Sequence, residues 1–166
     1  MHKHLFSDLP TNISAAAVTL ARRGFAVFPC NWSNKEPLTP NGFHGASSSP
    51  NEVGKMFSKA GSGVMIGLPT GVINGVIVFD IESVEGHGVD GDADVGALAA
   101  EGFHLLDSIC TVRTWSGGRH VYYRCPPEGR ASFKFKRRGI EVKGDGGYVI
   151  CPPSIYYTGQ FWEVIQ

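Results

Sequence analysis

Residues 75–82 read Gly-Val-Ile-Val-Phe-Asp-Ile-Glu, an unbroken apolar run that ends in two carboxylates one residue apart. Such a run is a buried strand, and side chains at i and i+2 on a strand share a face, so Asp80 and Glu82 project together from its end. Two carboxylates this close repel each other. Either the fold supplies a divalent cation or a shared proton to offset the repulsion, or the strand ends at a solvated edge where two acids are harmless.

A chain of 166 residues is long enough for a core of two packed layers, and we expect a single domain over residues 1–166. No apolar stretch approaches the roughly 20 residues that span a bilayer, which predicts a soluble protein with no membrane partner. The stretch from Met1 to Arg23 ends in Arg22-Arg23-Gly24 and not in a small-residue cleavage site, so it reads as a helix, not a signal peptide. Cys30, Cys110, Cys125 and Cys151 are widely spaced with no Cys-x-x-Cys pair. That pattern signals neither zinc knuckle nor disulfide framework and fits reduced thiols in a cytoplasmic protein.

Formal net charge is zero, yet the charges are segregated. Eight acids and no Lys or Arg lie between Asp80 and Asp107, whereas nine bases and only Glu128 and Glu141 as acids lie between Arg113 and Lys143. This division suits a site where one segment holds cations and the next meets phosphates; a solvated face with no partner would look the same.

Residues 12–23 read as a helix capped by Thr11 or Asn12 and stopped by Gly24, followed by a short strand from Phe25 to Phe28. Pro29 to Ser49 is a long loop whose only base is Lys35. Ser49-Pro50-Asn51-Glu52 starts a second helix running to about Lys59. Gly63–Leu68 and Val76–Glu82 look like adjacent strands joined by a tight connection, and Asp94–Gly102 has helical spacing. Strands are expected at 111–115, 120–124, 139–143, 148–151 and 161–165. Helices early and strands late predict an α+β fold with a largely antiparallel sheet.

Three further segments carry chemistry. Ser116-Gly117-Gly118-Arg119-His120 puts consecutive glycines between two strands, where backbone N–H groups can cradle phosphate oxygens and Arg119 or His120 can add charge or a hydrogen bond; taken alone, the turn reads more readily as a plain Gly-Gly hairpin before a packed His. In Gly139 to Tyr148, Glu141 and Lys143 share one strand face, so one can join a metal while the other meets a phosphate, or the two form a surface ion pair. Arg130 to Arg138 interleaves Arg130, Lys134, Lys136, Arg137 and Arg138 with Phe133 and Phe135, as either a primer-template contact or a protected edge strand. Asp90, Asp92, Asp94 and Glu101 fall at calcium-loop spacing, but Val95 stands where the turn needs Gly. Gly67 to Gly71 lacks the ending of a P-loop and reads as a turn.

In this order and spacing the segments resemble the bifunctional primase-polymerase (prim-pol) domains of the archaeo-eukaryotic primase superfamily. The likeness takes in Arg23 to Pro29, Lys35-Glu36-Pro37, the helix after Ser49, Val78 to Glu82, Thr114 to His120, and Gly139 to Ser154. It implies an RRM-like catalytic sheet, mostly antiparallel and flanked by helices, beside a smaller N-terminal α/β unit. It implies Asp80, Glu82 and Glu141 as ligands of a two-metal Mg2+ or Mn2+ site and His120 as a nucleotide contact. Lys35, Arg119 and Lys143 lie in matching segments as phosphate contacts, with Ser116, Gly117 and Gly118 at the nucleotide. The family's third acid is more often Asp, so Glu141 lengthens that arm by one methylene, which bears on metal preference and rate. The implied partners are nucleoside triphosphates, a single-stranded DNA template and primer, and a fused or separate helicase, in a bacterial, archaeal, plasmid or phage setting.

The leading expectation is a template-directed nucleotidyltransferase, a DNA primase, a DNA polymerase or both. A metal-dependent nuclease or phosphodiesterase would use clustered acids and a His without a triphosphate pocket, and a non-catalytic nucleic-acid-binding module could keep the scaffold.

Overall fold

The computed structural model describes residues 5–135 and 139–166. Its elements run α1 (Ile13–Arg22), β1 (Phe28–Asn31), a 3-10 turn (Gly42–Gly45), α2 (Pro50–Ala60), β2 (Val64–Pro69), β3 (Val76–Ile81), α3 (Val84–His87) and α4 (Gly91–Ala100). There follow β4 (Cys110–Arg113), β5 (Arg119–Arg124), β6 (Phe133–Lys134), β7 (Ile140–Lys143), β8 (Tyr148–Cys151) and β9 (Glu163–Val164).

The first two helices start where side chains satisfy their free N–H groups. Asn12 Oδ1 accepts from Ala15 N–H at 2.9 Å, and Ser49 Oγ accepts from Glu52 N–H at 3.4 Å with Pro50 at the first helical position. Helix α4 begins at Gly91, three residues before the expected Asp94. The reason is Asp90, whose carboxylate caps Ala93 N–H at 2.9 Å and places Asp92 and Asp94 in a first turn that favours acids. The strand expected at Phe25–Phe28 is instead Phe28–Asn31 and includes Pro29. Proline is tolerated there because β1 is the edge strand of its sheet and its outer side meets only the loop at residues 36–38, where Leu38 N–H donates to Pro29 O at 2.9 Å and no regular ladder needs the Pro29 nitrogen.

Among the described residues two sheets form, ordered β1-β2-β8 and β6-β7-β3-β5-β4-β9, and their strand pairs are antiparallel. This corrects the reading of 63–68 and 76–82 as neighbouring strands: β2 belongs to the smaller sheet and β3 to the larger. Both strands are buried runs without polar alternation, so nothing local fixes which partner each takes. The smaller unit is also not confined to the N-terminal half, since β8 returns from the far end of the chain to pair with β2.

Helices α1 and α2 pack on each other and against the smaller sheet. One buried cluster joins Ala17, Leu20, Val53, Phe57, Phe28 and Ile66 of that unit to Val78, Cys110, Val112 and Tyr122 of the larger sheet. Each large apolar side chain there contributes roughly 1.5–3 kcal/mol by leaving water. The chain passes between sheets twice near one rim, at residues 70–75 and 144–147, and the two crossings are fastened together. Thr70 N–H donates to Gly147 O at 3.0 Å, Thr70 Oγ1 to Gly144 O at 2.7 Å, and Val72 N–H to Asp145 Oδ1 at 2.9 Å. That fastening fixes β3 and β7 relative to β8, and so sets the walls of the cleft that opens between the sheets.

Candidate active site

Register across the larger sheet sets Asp80 opposite His120 on one side and opposite Glu141 on the other. The same row continues from Glu141 to Lys134 on β6. Residues directly opposite share a face with Cβ atoms roughly 5 Å apart, so Lys134, Glu141, Asp80 and His120 form a line across four strands. Glu82 and Lys143, each two residues further on, extend the line on the same face. Glu82 N–H still bonds Gly139 O at 2.9 Å, which carries the pairing one residue past the strand end.

This face opens onto a cleft of about 400 Å³ lined by Asp80, Glu82, Glu141, His120, Lys35 and Lys143 among others. Each carboxylate is turned to a nitrogen base. Glu82 meets His87 Nδ1 at 2.5 Å, Glu141 meets Lys143 Nζ at 2.9 Å, and Asp80 Oδ1 stands 3.5 Å from His120 Nε2. Burial pushes the Asp80 carboxyl up, Lys143 pulling against it and Glu141 adding to it. Glu82 is likewise raised, first by burial and then by Asp80. His120 is lowered to about 3, by burial first and then by Lys35, so its imidazole is neutral at ordinary pH. The Asp80–His120 contact is therefore not an ion pair, and His120 Nδ1 is buried with no well-formed hydrogen bond.

Lys35 enters the cleft from the loop after β1. Its φ is +65°, a conformation non-glycine residues avoid, and such strain clusters at functional sites. Two hydrogen bonds hold the backbone there: Lys35 N–H to Asn31 O at 2.9 Å and Tyr148 O–H to Lys35 O at 3.1 Å. Nζ rests 5.3 Å from the centre of the Trp115 ring, and burial lowers its pKa against the pull of Asp80 and Glu82.

Not every residue singled out in the sequence reaches the cleft. The Ser116–His120 segment is the turn of a hairpin between β4 and β5, in which Gly117 N–H bonds Thr114 O at 3.0 Å and Thr114 N–H bonds Gly118 O at 2.9 Å. Ser116 lines the cleft, while Gly117, Gly118 and Arg119 line a separate depression with Asp90 and Asp92. Arg119 lies on the opposite sheet face from His120 and pairs with Asp92. The acids at calcium-loop spacing have structural partners: Asp90 caps α4, Asp92 takes Arg119, and Asp94 Oδ2 accepts from Gly139 N–H at 2.9 Å.

Alternation also divides the aromatic-basic segment. Lys134 shares the face of Glu141, whereas Phe133 lies opposite Val142 on the back, where Phe135 packs against Phe79 at 6.2 Å. β6 is the edge strand of its sheet. Arg130 is exposed and sits over the Phe133 ring at 5.2 Å. Lys136, Arg137 and Arg138 lie outside the described residues.

The sequence did not point to His87, Trp115 or Trp162 as cleft residues. For His87 the available signal was Ser83, which caps the short α3 by accepting from Gly86 N–H at 3.1 Å and so swings His87 back toward Glu82. Trp162 is 3% exposed, lines the cleft floor and leaves Nε1 without a partner; no local pattern marks it.

Asp80, Glu82 and Glu141 are the oxygen donors that hard divalent cations take. Among the described residues, no three His, Cys, Asp or Glu side chains stand converged as a ready-made ligand set. The backbone makes the three acids neighbours, with the Glu82 side chain turned to His87 and that of Glu141 to Lys143. Among the described residues no helix is long and apolar enough to cross a membrane.

Compared with known families, residues 17–166 match the one described as bifunctional DNA primase/polymerase, N-terminal (Prim-Pol). A search of curated proteins finds no match. With the family's sequence pattern spanning both sheets and the whole carboxylate row, this chain belongs to the Prim-Pol family of bifunctional DNA primase/polymerase N-terminal domains.

Proposed function

We propose that the chain is a template-directed nucleotidyltransferase that joins nucleoside triphosphates on a single-stranded DNA template, as a primase, a polymerase or both. The observation that carries this reading is the row Glu141–Asp80–His120 on adjacent strands, facing a cleft that also receives Lys35 and Lys143. Acids for cations and bases for phosphates thus meet in one place, as transfer of a nucleotidyl group requires.

In the reaction a hydroxyl loses its proton to solvent as its oxygen bonds to the α-phosphorus of the triphosphate, the bond from that phosphorus to the bridging oxygen breaks, and pyrophosphate leaves with the electron pair. Asp80, Glu82 and Glu141 would hold Mg2+ or Mn2+, which supplies activation of the hydroxyl and charge neutralisation at the leaving group. The chain's own bases do the rest of the binding. Lys143 and Lys35 rest on partners they can exchange, a half-buried carboxylate and an indole face, and both ammonium groups would turn to phosphate oxygens. His120, neutral and buried, contributes a hydrogen bond without adding charge. Burial first, and the neighbouring acid after it, raise the Asp80 and Glu82 carboxyls, and a bound dication would favour their ionised forms.

Incorporation of labelled nucleotide on single-stranded DNA, with and without primer, in Mg2+ and in Mn2+, tests the reading on wild type, Asp80→Ala and Glu141→Ala. Incorporation that both substitutions abolish is the expected result. Cleavage of the template with no incorporation and no triphosphate binding would replace the reading with a nuclease.

A further inference from the structure

One wall of the cleft runs outward as a train of aromatic rings. Beyond Lys35 on Trp115, the Trp115 ring stacks on Tyr156 at 4.0 Å and 24°, and Tyr156 packs against Tyr157 at 4.8 Å. Tyr157 is 54% exposed, and Trp32 and Phe161 from the same two segments are 43% and 57% exposed. These segments are cross-braced. Tyr156 O–H donates to Ser33 O at 2.9 Å, and Tyr157 N–H donates to Trp32 O at 3.3 Å. Tyr156 N–H donates to Gln160 O at 2.7 Å, closing residues 155–161 into a tight loop against the segment that delivers Lys35.

Single exposed rings are ordinary, but several held on one braced frame and continuous with a charged cleft mark a binding surface. Residues 32–34 and 155–161 contain no Lys or Arg. The surface therefore offers little to a phosphate backbone and much to a flat ring. Every nucleobase has a π-face, so such a surface takes single-stranded nucleic acid without regard to sequence.

We propose that this ridge, with Tyr157 as its outermost cleft-connected ring, is where a single nucleic-acid strand lies as it enters the cleft, its bases stacked on the exposed rings. The inference rests on the template-directed reading and adds to it the surface that holds the template. It competes with the β6 edge, where exposed Arg130 and Lys134 would hold the strand by its phosphates. The two surfaces make opposite demands of salt: phosphate contacts weaken steeply as ionic strength rises, and stacking does not.

Anisotropy of a labelled oligothymidylate, at low and high salt, separates them in wild type, Tyr157→Ala, Tyr157→Phe and the double variant Arg130→Ala/Lys134→Ala, with binding of a lone nucleoside triphosphate measured on each. Expected are a roughly tenfold weaker oligonucleotide affinity for Tyr157→Ala, near-complete rescue in Tyr157→Phe, a shallow salt dependence, and unchanged triphosphate affinity. Tyr157→Ala binding the oligonucleotide like wild type, or binding lost only in the Arg130/Lys134 variant, overturns the proposal, as does a wild type that binds no oligonucleotide. Loss in Tyr157→Ala from a protein that binds no triphosphate upholds the ridge and sinks the polymerase reading instead.

Discussion

Arg119 and His120 are neighbours in the chain and lie on opposite faces of the same sheet. On the front of β3, β5 and β7 stand Asp80, His120, Glu141 and Lys143, all lining the cleft. On the back, the residues one step away are Phe79, Arg119 and Val142, and Phe79 packs on Tyr123 at 5.2 Å and on Phe135 at 6.2 Å. The front keeps titratable groups at the rim of a buried core; the back gathers rings against one another and an ion pair with α4. A motif written as a string of five residues is thus split by the pleat, and only alternate members can serve one site.

If the front carries the chemistry, substitution there has the largest effect. Asp80→Ala is expected to lower nucleotide incorporation by at least about 1,000-fold, since it removes the central acid of the row. Single-turnover incorporation reads it, and a variant retaining a tenth of wild-type rate would remove Asp80 from the site. Next comes the point where the faces are locked together. A Cβ at Gly118 would stand 2.5 Å from Ile81 O, a backbone atom that cannot yield. Gly118→Ala is expected to cost about 2–3 kcal/mol, seen as a fall of roughly 5–10 °C in Tm. An unchanged melting curve would mean that the β4–β5 turn is free to move off β3.

The front's acid-base balance makes the next prediction. Folded His120 has its pKa lowered to about 3 from 6.5, so on acidification the unfolded chain takes a proton that the folded one refuses. Stability is lost as pH falls from about 6.5 toward 3, by about 2 kcal/mol between pH 7 and pH 5. Asp80 and Glu82, raised in the folded state, act in the opposite sense and become less destabilising as pH falls. Comparing urea unfolding of wild type with His120→Gln at both pH values isolates the His contribution; equal slopes in the two proteins would mean His120 is protonated in the fold. Lys143→Ala follows, with a roughly tenfold loss of triphosphate affinity by titration calorimetry, corresponding to one charge-assisted contact. An unaltered affinity would leave Lys143 as a partner of Glu141 alone.

Asp80, Glu82, His120 and Glu141 were legible because each sits on or beside a strand whose apolar run announces it, and the two-residue period tells which neighbours share a face. What stands opposite Asp80 was not legible from the residues themselves, because pairing of β3 with β5 and β7 joins positions tens of residues apart. The same limit produced the expectation that β2 and β3 are adjacent strands joined by a tight connection. Both strands are apolar on both faces, so the string holds no hint that Gly71 to Gly75 hands the chain from one sheet to the other. Nothing in the string marked Trp115 or Trp162 as cleft residues, and their place there comes from how the sheets meet at the rim. Apart from the family resemblance, Lys35 stood out only as a lone base in a polar loop; the strained φ that delivers it is visible only in the fold.

The smallest effect belongs to the residue nearest the site in sequence. Arg119 precedes His120 and sits in a segment that resembles a nucleotide-binding motif, so a reading by string expects Arg119→Ala to weaken triphosphate binding by an order of magnitude. The geometry expects otherwise. Arg119 is on the back face, paired with Asp92 of α4, and the two side chains are 37% and 71% exposed. A pair that open to water contributes no more than about 1 kcal/mol to stability. Its loss leaves the Asp94 bond to Gly139 N–H still tying α4 to β7. Arg119→Ala is therefore expected to bind triphosphate within about twofold of wild type. Set beside Lys143→Ala in one calorimetric series, it decides whether the pleat or the motif governs: comparable losses in both would require Arg119 to cross to the front face when nucleotide binds, and β5 would have to lose its register with β3 to allow it.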